Sequence, residues 1–198
     1  GTGELGYSMA LRGDLPAIEE RRYLFTGSGA PFGGLYADAV GSASEDAPPV
    51  PTLSGASPFN IIYSSGTTGL PKGIVHTHEI RAAYCTLFAS AWRMTPESVV
   101  LHAGSLVFNG SFLTLMPWVY LGGLFVLQKQ FEARAYLRAV AEHRVTHAMM
   151  VPSQIVALLD LPEFDEAHYP SLEMIGSVGA PLHLEHKQEL ARRFPKRL

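Results

Sequence analysis

The sequence has little cysteine. Among its 198 residues Cys85 is the single one, so an internal disulfide is excluded. This usage is typical of a chain that folds in a reducing compartment, and we expect a cytoplasmic location. Cys85 falls among apolar residues at helical spacing, where a thiol usually acts as a small buried apolar side chain.

Charged residues are also scarce, at 17% of the chain, whereas hydrophobic residues make up 47%. This balance predicts a globular chain rather than a disordered one. The net charge is −3, and no basic run is longer than the pairs Arg21-Arg22 and Arg192-Arg193. The sequence therefore gives no support for nucleic-acid binding.

A long uninterrupted apolar run is missing as well. The most apolar stretch, residues 112–127, is short for a membrane span and is interrupted by Pro117 and by Gly122-Gly123. We expect a buried helix followed by a buried strand there, and no transmembrane segment. Residues 1–10 lack a basic region before an apolar run, so they do not have the pattern of a signal peptide.

The sequence does contain a dense run of small polar residues after an apolar segment. Residues 61–63, Ile-Ile-Tyr, have the length and branching of the end of a buried strand. Residues 64–73 follow and read Ser-Ser-Gly-Thr-Thr-Gly-Leu-Pro-Lys-Gly. Glycine lets backbone N–H groups turn towards a phosphate, hydroxyls donate to its oxygens, and Lys72 adds positive charge. The run therefore predicts an oxyanion-binding loop, although Lys72 is not placed as in a Walker A loop.

Strands and helices alternate along the chain. Apolar runs predict strands at 22–26, 99–101, 124–127, 145–151 and 172–177. Helices are predicted at 35–40, 112–121, 132–143, 154–159 (capped by Ser153) and 183–194, with one more that Thr77 caps and Pro96 ends. Residues 41–58, rich in Ser, Ala, Pro and Asp, indicate an exposed connection. This order predicts an α/β fold with layered, largely parallel sheets and flanking helices.

A second loop follows the last predicted strand. Residues 177–182 read Ser-Val-Gly-Ala-Pro-Leu and precede a helix. Ligands of open α/β sheets bind beyond the carboxyl ends of strands, so this loop is a candidate binding segment. A plain strand–helix turn remains the alternative on composition alone.

Residues 64–73 resemble the phosphate-loop signature of the adenylate-forming superfamily, which comprises acyl-CoA synthetases, luciferases and the adenylation domains of peptide synthetases. The resemblance implies that the chain divides into two parts. Residues 1–58 are a poorly matched N-terminal portion with a linker, and residues 59–198 are a central part of the AMP-binding domain. The fold would then be part of the N-terminal domain of an acyl-CoA synthetase-like enzyme.

The resemblance also implies functional residues. Those that would bind ATP are Ser64, Ser65, Gly66, Thr67, Thr68, Gly69 and Lys72 in the phosphate loop, and Gly179, Ala180 and Pro181 against adenine. Lys72 and Thr68 would be catalytic, and Thr68 would also contact Mg²⁺. Residues 104–110 resemble the family's acyl-pocket motif, so Phe108, Asn109 and Gly110 would line the substrate pocket.

By this resemblance the parent protein would be an acid–CoA ligase. It would use ATP and Mg²⁺ to convert a fatty or other apolar carboxylic acid to an acyl-adenylate, and CoA as co-substrate to form the thioester. The isolated 198 residues would be inactive, because family members carry a Mg²⁺-binding Glu and a catalytic Lys further along the chain. The alternatives are a peptide-synthetase-type adenylation domain or luciferase-like enzyme, and a non-catalytic nucleotide-binding relative. The pocket region lacks the Phe-Asp-x-Ser segment of peptide synthetases, which favours a CoA ligase.

Overall fold

The structure, a computed structural model, describes residues 19–26, 32–64 and 71–195. The chain divides into two compact units, Gly1–Thr52 and Leu53–Leu198. Residues 65–70, the middle of the predicted phosphate loop, lie outside the described residues.

The described part of the first unit is a small parallel strand pair with one short helix. Strand β1 (Leu24–Phe25) pairs with β2 (Gly34–Leu35), and helix α1 (Tyr36–Gly41) follows. The predicted strand at 22–26 is shorter than expected, because Glu20–Arg22 forms a turn of 3₁₀ helix. The predicted short helix at 35–40 is confirmed, one residue further along.

The second unit begins with an antiparallel hairpin, which we call the phosphate-loop hairpin. Its strands are β3 (Pro58–Ser64) and β4 (Lys72–Thr77), and Ser64 lies directly opposite Lys72. The predicted strand at 61–63 is confirmed, but its predicted burial is wrong, since Ile61 is 55% exposed and Tyr63 69% exposed. Two paired strands alone cannot cover both of their faces. The hairpin brings the two ends of the phosphate loop side by side.

A four-stranded parallel sheet forms the centre of the second unit. Its strands are β5 (Val99–Ala103), β6 (Leu124–Gln128), β7 (His147–Met150) and β8 (Met174–Ser177), in the order β6-β5-β7-β8. Every neighbouring pair is parallel, which confirms the predicted α/β class. The carboxyl ends of these strands therefore meet at one edge of the sheet.

The predicted strand at 124–127 forms, but its predicted burial is wrong. Among the described residues strand β6 pairs only with β5, and it lies at the edge of the sheet. Leu124 and Leu127 are each about half exposed. An edge strand has a neighbour on one side only, and alternate side chains of a strand point to opposite faces.

In the described part of the second unit five α-helices accompany the strands: α2 (His78–Ala91), α3 (Phe112–Leu121), α4 (Ala133–His143), α5 (Pro152–Leu159) and α6 (Leu184–Arg193). Their predicted positions are confirmed to within a few residues. Thr77 caps α2 as predicted, since its Oγ1 accepts a hydrogen bond from the Ile80 N–H at 3.3 Å. Helix α2 ends before Pro96, because Trp92 leaves the helical conformation and Arg93 takes a positive φ of 54°.

The predicted cap of α5 is wrong. Pro152 is the first residue of the helix and Val151 is its N-cap, so Ser153 lies inside the first turn. Proline suits the first helical position because its φ is already helical and its missing N–H would have no partner there. The side chain of Gln154 reaches back instead and accepts a hydrogen bond from the Val151 N–H at 3.1 Å.

The main core lies between the parallel sheet and helices α4, α5 and α6. Its fully buried members include Leu101, Val140, Ile155, Leu158, Phe164 and Phe194. His147 of β7 is also fully buried; its Nε2 lies 2.9 Å from the Trp92 carbonyl oxygen and its Nδ1 lies 2.8 Å from Thr146 Oγ1. A closely packed core of this kind holds the strand ends in fixed positions.

The end of α6 is tied to the rest of the unit by charged hydrogen bonds. Arg193 donates to the carbonyl oxygens of Leu159 and Leu161, each at 2.8 Å, and to Glu189 at 2.6 Å. Hydrogen bonds from Arg192 and Arg193 lower the pKa of Glu189 to about 2.

None of the helices in the described parts of the chain has the length and hydropathy needed to span a bilayer.

Candidate functional site

A cavity of about 460 Å³ opens at the carboxyl ends of β5, β7 and β8, and we call it the strand-end cavity. The residues that line it come from the loop after β5, the end of β7, helix α5 and the loop after β8. Three residues predicted from the sequence are among them: Phe108, Gly110 and Gly179. Its volume is in the usual range for small-molecule sites.

The loop after β5 is fixed by its own hydrogen bonds. Gly104 turns the chain directly after the strand with a φ of 115°. Ser111 Oγ lies 2.8 Å from the Leu106 carbonyl oxygen and 2.7 Å from that of Phe108. Phe108 itself is 69% exposed. Its ring is therefore not part of the core and is free to contact a ligand at the cavity.

The loop after β8 lines two cavities. Gly179 has a φ of 90° and lines the strand-end cavity together with Val178. Ala180 and Pro181 line a separate cavity of about 420 Å³, which lies between β8, α5 and α6 and includes Lys187. The three residues predicted to contact adenine therefore face two cavities rather than one.

The phosphate-loop hairpin places Ser64 and Lys72 opposite each other at its open end. Lys72 is exposed. The other predicted residues of this loop, Ser65, Gly66, Thr67, Thr68 and Gly69, lie outside the described residues. A Cβ on Gly73 would come within 3.1 Å of Ile61 Cγ2, so glycine also allows the two strands to pack at this point.

His102 is a residue that the sequence reasoning missed. It is the next-to-last residue of β5 and lines the strand-end cavity, and its ring stacks on Phe125 with centroids 6.3 Å apart. Burial lowers its pKa, an effect that a hydrogen bond with the Ser105 backbone opposes, so the imidazole is neutral at pH 7. Its buried Nε2 has no partner among the described residues. The sequence feature that could have identified His102 as a site residue is its place near the carboxyl end of a predicted strand.

Gln154 was missed as well. Besides accepting from Val151, its side chain donates to the Ala103 carbonyl oxygen at 3.3 Å. Gln154 therefore ties the end of β5 to the start of α5 on the wall of the strand-end cavity. Its signal in the sequence was the position three residues after a helix N-cap, where Gln often reaches back to the cap.

Arg81 of α2 is the third missed residue, and it is 1% exposed. Its Nε donates to Asn60 Oδ1 at 3.1 Å and its Nη2 donates to Asn109 Oδ1 at 2.9 Å. Its guanidinium carbon lies 4.2 Å from the centroid of the Phe112 ring and 4.8 Å from that of Tyr84. Asn109, predicted to line the substrate pocket, thus directs its amide oxygen to Arg81.

Cys85, one turn after Arg81, is half-buried rather than fully buried as predicted. Its Sγ donates to the Arg81 carbonyl oxygen at 3.5 Å. Burial raises the pKa of the thiol, so a reactive thiolate is disfavoured at neutral pH. In the part of the chain that the structure describes, no three His, Cys, Asp or Glu side chains come together as metal ligands.

Comparison with known proteins gives a consistent result. Residues 12–198 match the family described as AMP-binding enzyme. The chain is 32% identical over 136 residues to the nonribosomal peptide synthetase opaA of Aspergillus ustus. This matched region covers 68% of this chain and 3% of opaA. The chain is also 30% identical over 142 residues to the medium/long-chain-fatty-acid–CoA ligase FadD8 of Mycobacterium tuberculosis. This matched region covers 69% of this chain and 24% of FadD8.

Among solved structures, ATP-bound MatB from Rhodopseudomonas palustris superposes with a TM-score of 0.73 at 25% identity, covering 80% of this chain and 31% of MatB. The chain thus spans about a quarter of the FadD8 sequence and about a third of MatB.

Proposed function

The chain belongs to the AMP-binding enzyme family, and from this premise we propose that its parent is a ligase that activates an apolar carboxylic acid with ATP and transfers the acyl group to CoA. The observation that carries the proposal is the strand-end cavity, which the Phe108 loop and the Gly179 turn line together. The similarity to a CoA ligase and to an ATP-bound structure supports it.

In the first step a carboxylate oxygen of the acid forms a bond to the α-phosphorus of ATP. The bond from that phosphorus to the bridging oxygen breaks, and pyrophosphate leaves with the electron pair. Negative charge accumulates as two anions meet, so preorganised donors and positive charge lower the barrier. We assign this role to Lys72 and Thr68, with the hydroxyls of Ser64, Ser65 and Thr67 and the backbone of Gly66 and Gly69 on the β- and γ-phosphates.

We propose Mg²⁺ as a further cofactor of the parent. Mg²⁺ commonly binds through one or two carboxylates together with substrate phosphates. Among the described residues no three His, Cys, Asp or Glu side chains come together, and residues 65–70 lie outside that part of the chain. Thr68 remains our proposed contact.

The acid would occupy the strand-end cavity. Phe108, Gly110 and the pair Met149-Met150 give it a mainly apolar wall, and the neutral His102 and Gln154 add a few polar groups. Such a wall suits a fatty or aromatic acid, because apolar contacts supply affinity and few polar groups fix orientation. We assign Phe108, Asn109 and Gly110 to this pocket and the Gly-Ala-Pro turn at 179–181 to adenine.

In the second step the CoA thiolate attacks the acyl carbonyl carbon, a thioester bond forms, and AMP leaves with the electrons of the acyl–phosphate bond. A peptide-synthetase-type adenylation domain would pass the acyl group to a carrier thiol instead. The similarity to opaA favours keeping this second candidate. The two differ in the acceptor and not in the adenylation step.

The test is acid-dependent ATP–pyrophosphate exchange by the full-length parent, with short, long and aromatic acids, each with and without CoA. We expect exchange with apolar acids and CoA-dependent release of AMP. Exchange without CoA-dependent release would favour the carrier-thiol candidate. Absence of exchange with every acid, despite measurable ATP binding, would refute the proposed adenylation.

A further inference from the structure

Arg81 of helix α2 hydrogen-bonds two segments that are far apart in the sequence. Its Nε donates to Asn60 Oδ1 at 3.1 Å, and Asn60 lies on β3 of the phosphate-loop hairpin. Its Nη2 donates to Asn109 Oδ1 at 2.9 Å, and Asn109 lies in the segment 104–110, which we call the pocket loop. Among the hydrogen bonds of the described residues, those of Arg81 alone join this hairpin to this loop.

The guanidinium of Arg81 is confined, because the residue is 1% exposed. Its carbon lies 4.2 Å from the centroid of the Phe112 ring and 4.8 Å from that of Tyr84. None of the ion pairs among the described residues includes Arg81, and its Nη1 has no hydrogen-bond partner there. A buried charge is costly when its hydrogen bonds are lost, and arginine keeps its proton in proteins. Loss of either amide partner is therefore unfavourable.

The planar guanidinium also fixes its two partners relative to each other. Its N–H groups form a rigid fork, so the amide oxygens of Asn60 and Asn109 are both bonded in one relative position only. Asn60 belongs to the strand that ends at Ser64, where the phosphate loop begins. Asn109 is not a lining residue of the strand-end cavity, but its neighbours Phe108 and Gly110 are. The fork therefore sets the position of the hairpin relative to the cavity wall.

We propose that Arg81 is a positioning residue that holds the phosphate-loop hairpin and the pocket loop in one relative arrangement, and with them the sites of ATP and of the acid. A shift of either segment is then transmitted to the other through the guanidinium. This role rests on the proposed adenylation, and it concerns how the two substrates are aligned rather than which acid is chosen. Alignment matters because a misplacement of about 1 Å can lower a rate about 100-fold.

The test follows both substrates in variants of the full-length parent. One quantity is the Kd of α,β-methylene ATP, whose α–β bridge is not cleaved, from titration calorimetry. The other is the KM in pyrophosphate exchange for the best of three acids, hexanoate, dodecanoate and 3-phenylpropionate. Asn60→Ala removes the hairpin partner of Arg81, and Asn109→Ala removes the pocket-loop partner. Each should raise both constants by roughly 3- to 10-fold, less than the full value of a hydrogen bond to a charged group.

A combined variant distinguishes a shared connection from two independent contacts. Removal of either partner already breaks the connection, so the double variant Asn60→Ala/Asn109→Ala should raise each constant no further than the larger single effect. Arg81→Met should raise both constants to a similar level. If Arg81→Met does not fold, the two asparagine variants and their combination decide the outcome.

Two further variants serve as controls. Asn60→Asp keeps an acceptor oxygen for the guanidinium and should leave both constants within about 2-fold of wild type. Phe194→Leu, in the main core beside Phe164, should lower the melting temperature and change neither constant. A loss of stability alone would then not account for an effect on both substrates.

The role of Arg81 is overturned while the proposed function stands if a folded Asn60→Ala variant leaves the KM of the acid unchanged, or if a folded Asn109→Ala variant leaves the Kd of the nucleotide analogue unchanged. Effects that multiply in the combined variant overturn it as well. Absence of exchange with every acid in the wild-type parent overturns the proposed function, and this role with it.

Discussion

Replacement of Gly179 by alanine separates a structural role of the residue from a functional one. Gly179 has a φ of 90°, a conformation that residues with a side chain rarely adopt, and a Cβ added there would meet, among the described residues, only Val151 Cγ1 at an ordinary 3.7 Å. Space is therefore not the obstacle. The cost of Gly179→Ala comes from the backbone, about 1–2 kcal/mol in the free energy of unfolding.

Gly122 provides a matched control. It ends helix α3 with a φ of 81°, and a Cβ there would have no atom within 4 Å among the described residues. Gly122→Ala should therefore cost a similar amount, again about 1–2 kcal/mol. Thermal unfolding of the full-length parent should show both variants melting a few degrees lower than wild type and close to each other.

The two variants should differ in activity. An alanine at position 179 would be strained, and relief of that strain would shift the turn that lines the strand-end cavity. A displacement of about 1 Å in a site can lower the rate about 100-fold. We expect Gly179→Ala to lower ATP–pyrophosphate exchange by roughly 10- to 100-fold with a raised KM for ATP, and Gly122→Ala to exchange like wild type. Equal activity of the two variants at equal loss of stability would refute the assignment of this turn to the nucleotide.

Three further predictions follow from single residues. Lys72→Ala should lower exchange by roughly 100- to 1,000-fold by removing charge stabilisation, whereas Lys129→Ala, at another exposed lysine, should not; equal rates would contradict the role of Lys72. Gly123→Ala would place a Cβ 2.5 Å from the Ser98 carbonyl oxygen, so we expect a loss of about 1–3 kcal/mol in a denaturant titration, and wild-type stability would show that the backbone moves freely there. The Glu189 pKa is lowered to about 2, so its stabilisation is complete above its ordinary pKa and declines as the pH falls through 2. Glu189→Gln should melt lower than wild type at pH 7, and the difference between the two melting temperatures should shrink at pH 2. A difference as large at pH 2 as at pH 7 would contradict this linkage.

Local signals predicted the elements of the parallel sheet well. Helix α3 has the predicted bounds because Gly122, just after it, takes the left-handed conformation that ends a helix. The strands at 99–103 and 174–177 follow from apolar, partly β-branched runs. The α/β class follows from their alternation with helices. Each of these features depends on residues close together in the sequence.

The features that sequence reasoning missed depend on distant contacts. The exposure of Ile61 depends on which elements cover the hairpin, and strand periodicity does not report that. Arg81 meets Asn60 and Asn109, which are 21 and 28 residues away, and an arginine within a helix is ordinarily read as a surface residue. The division of the Gly-Ala-Pro turn between two cavities depends on how β8 meets α5 and α6.

The pairing of Ser64 with Lys72 has a consequence for how tightly a triphosphate could be held. The hairpin register places these residues directly opposite each other, so the ends of the connecting segment are held about 5 Å apart. The entropy lost in bringing two chain ends together is then met by the strand pairing when the protein folds. A ligand that binds at this segment therefore does not have to bring the loop ends together. Its length is constrained as well, since a shift of one residue would turn every side chain of β4 to the other face of the ribbon.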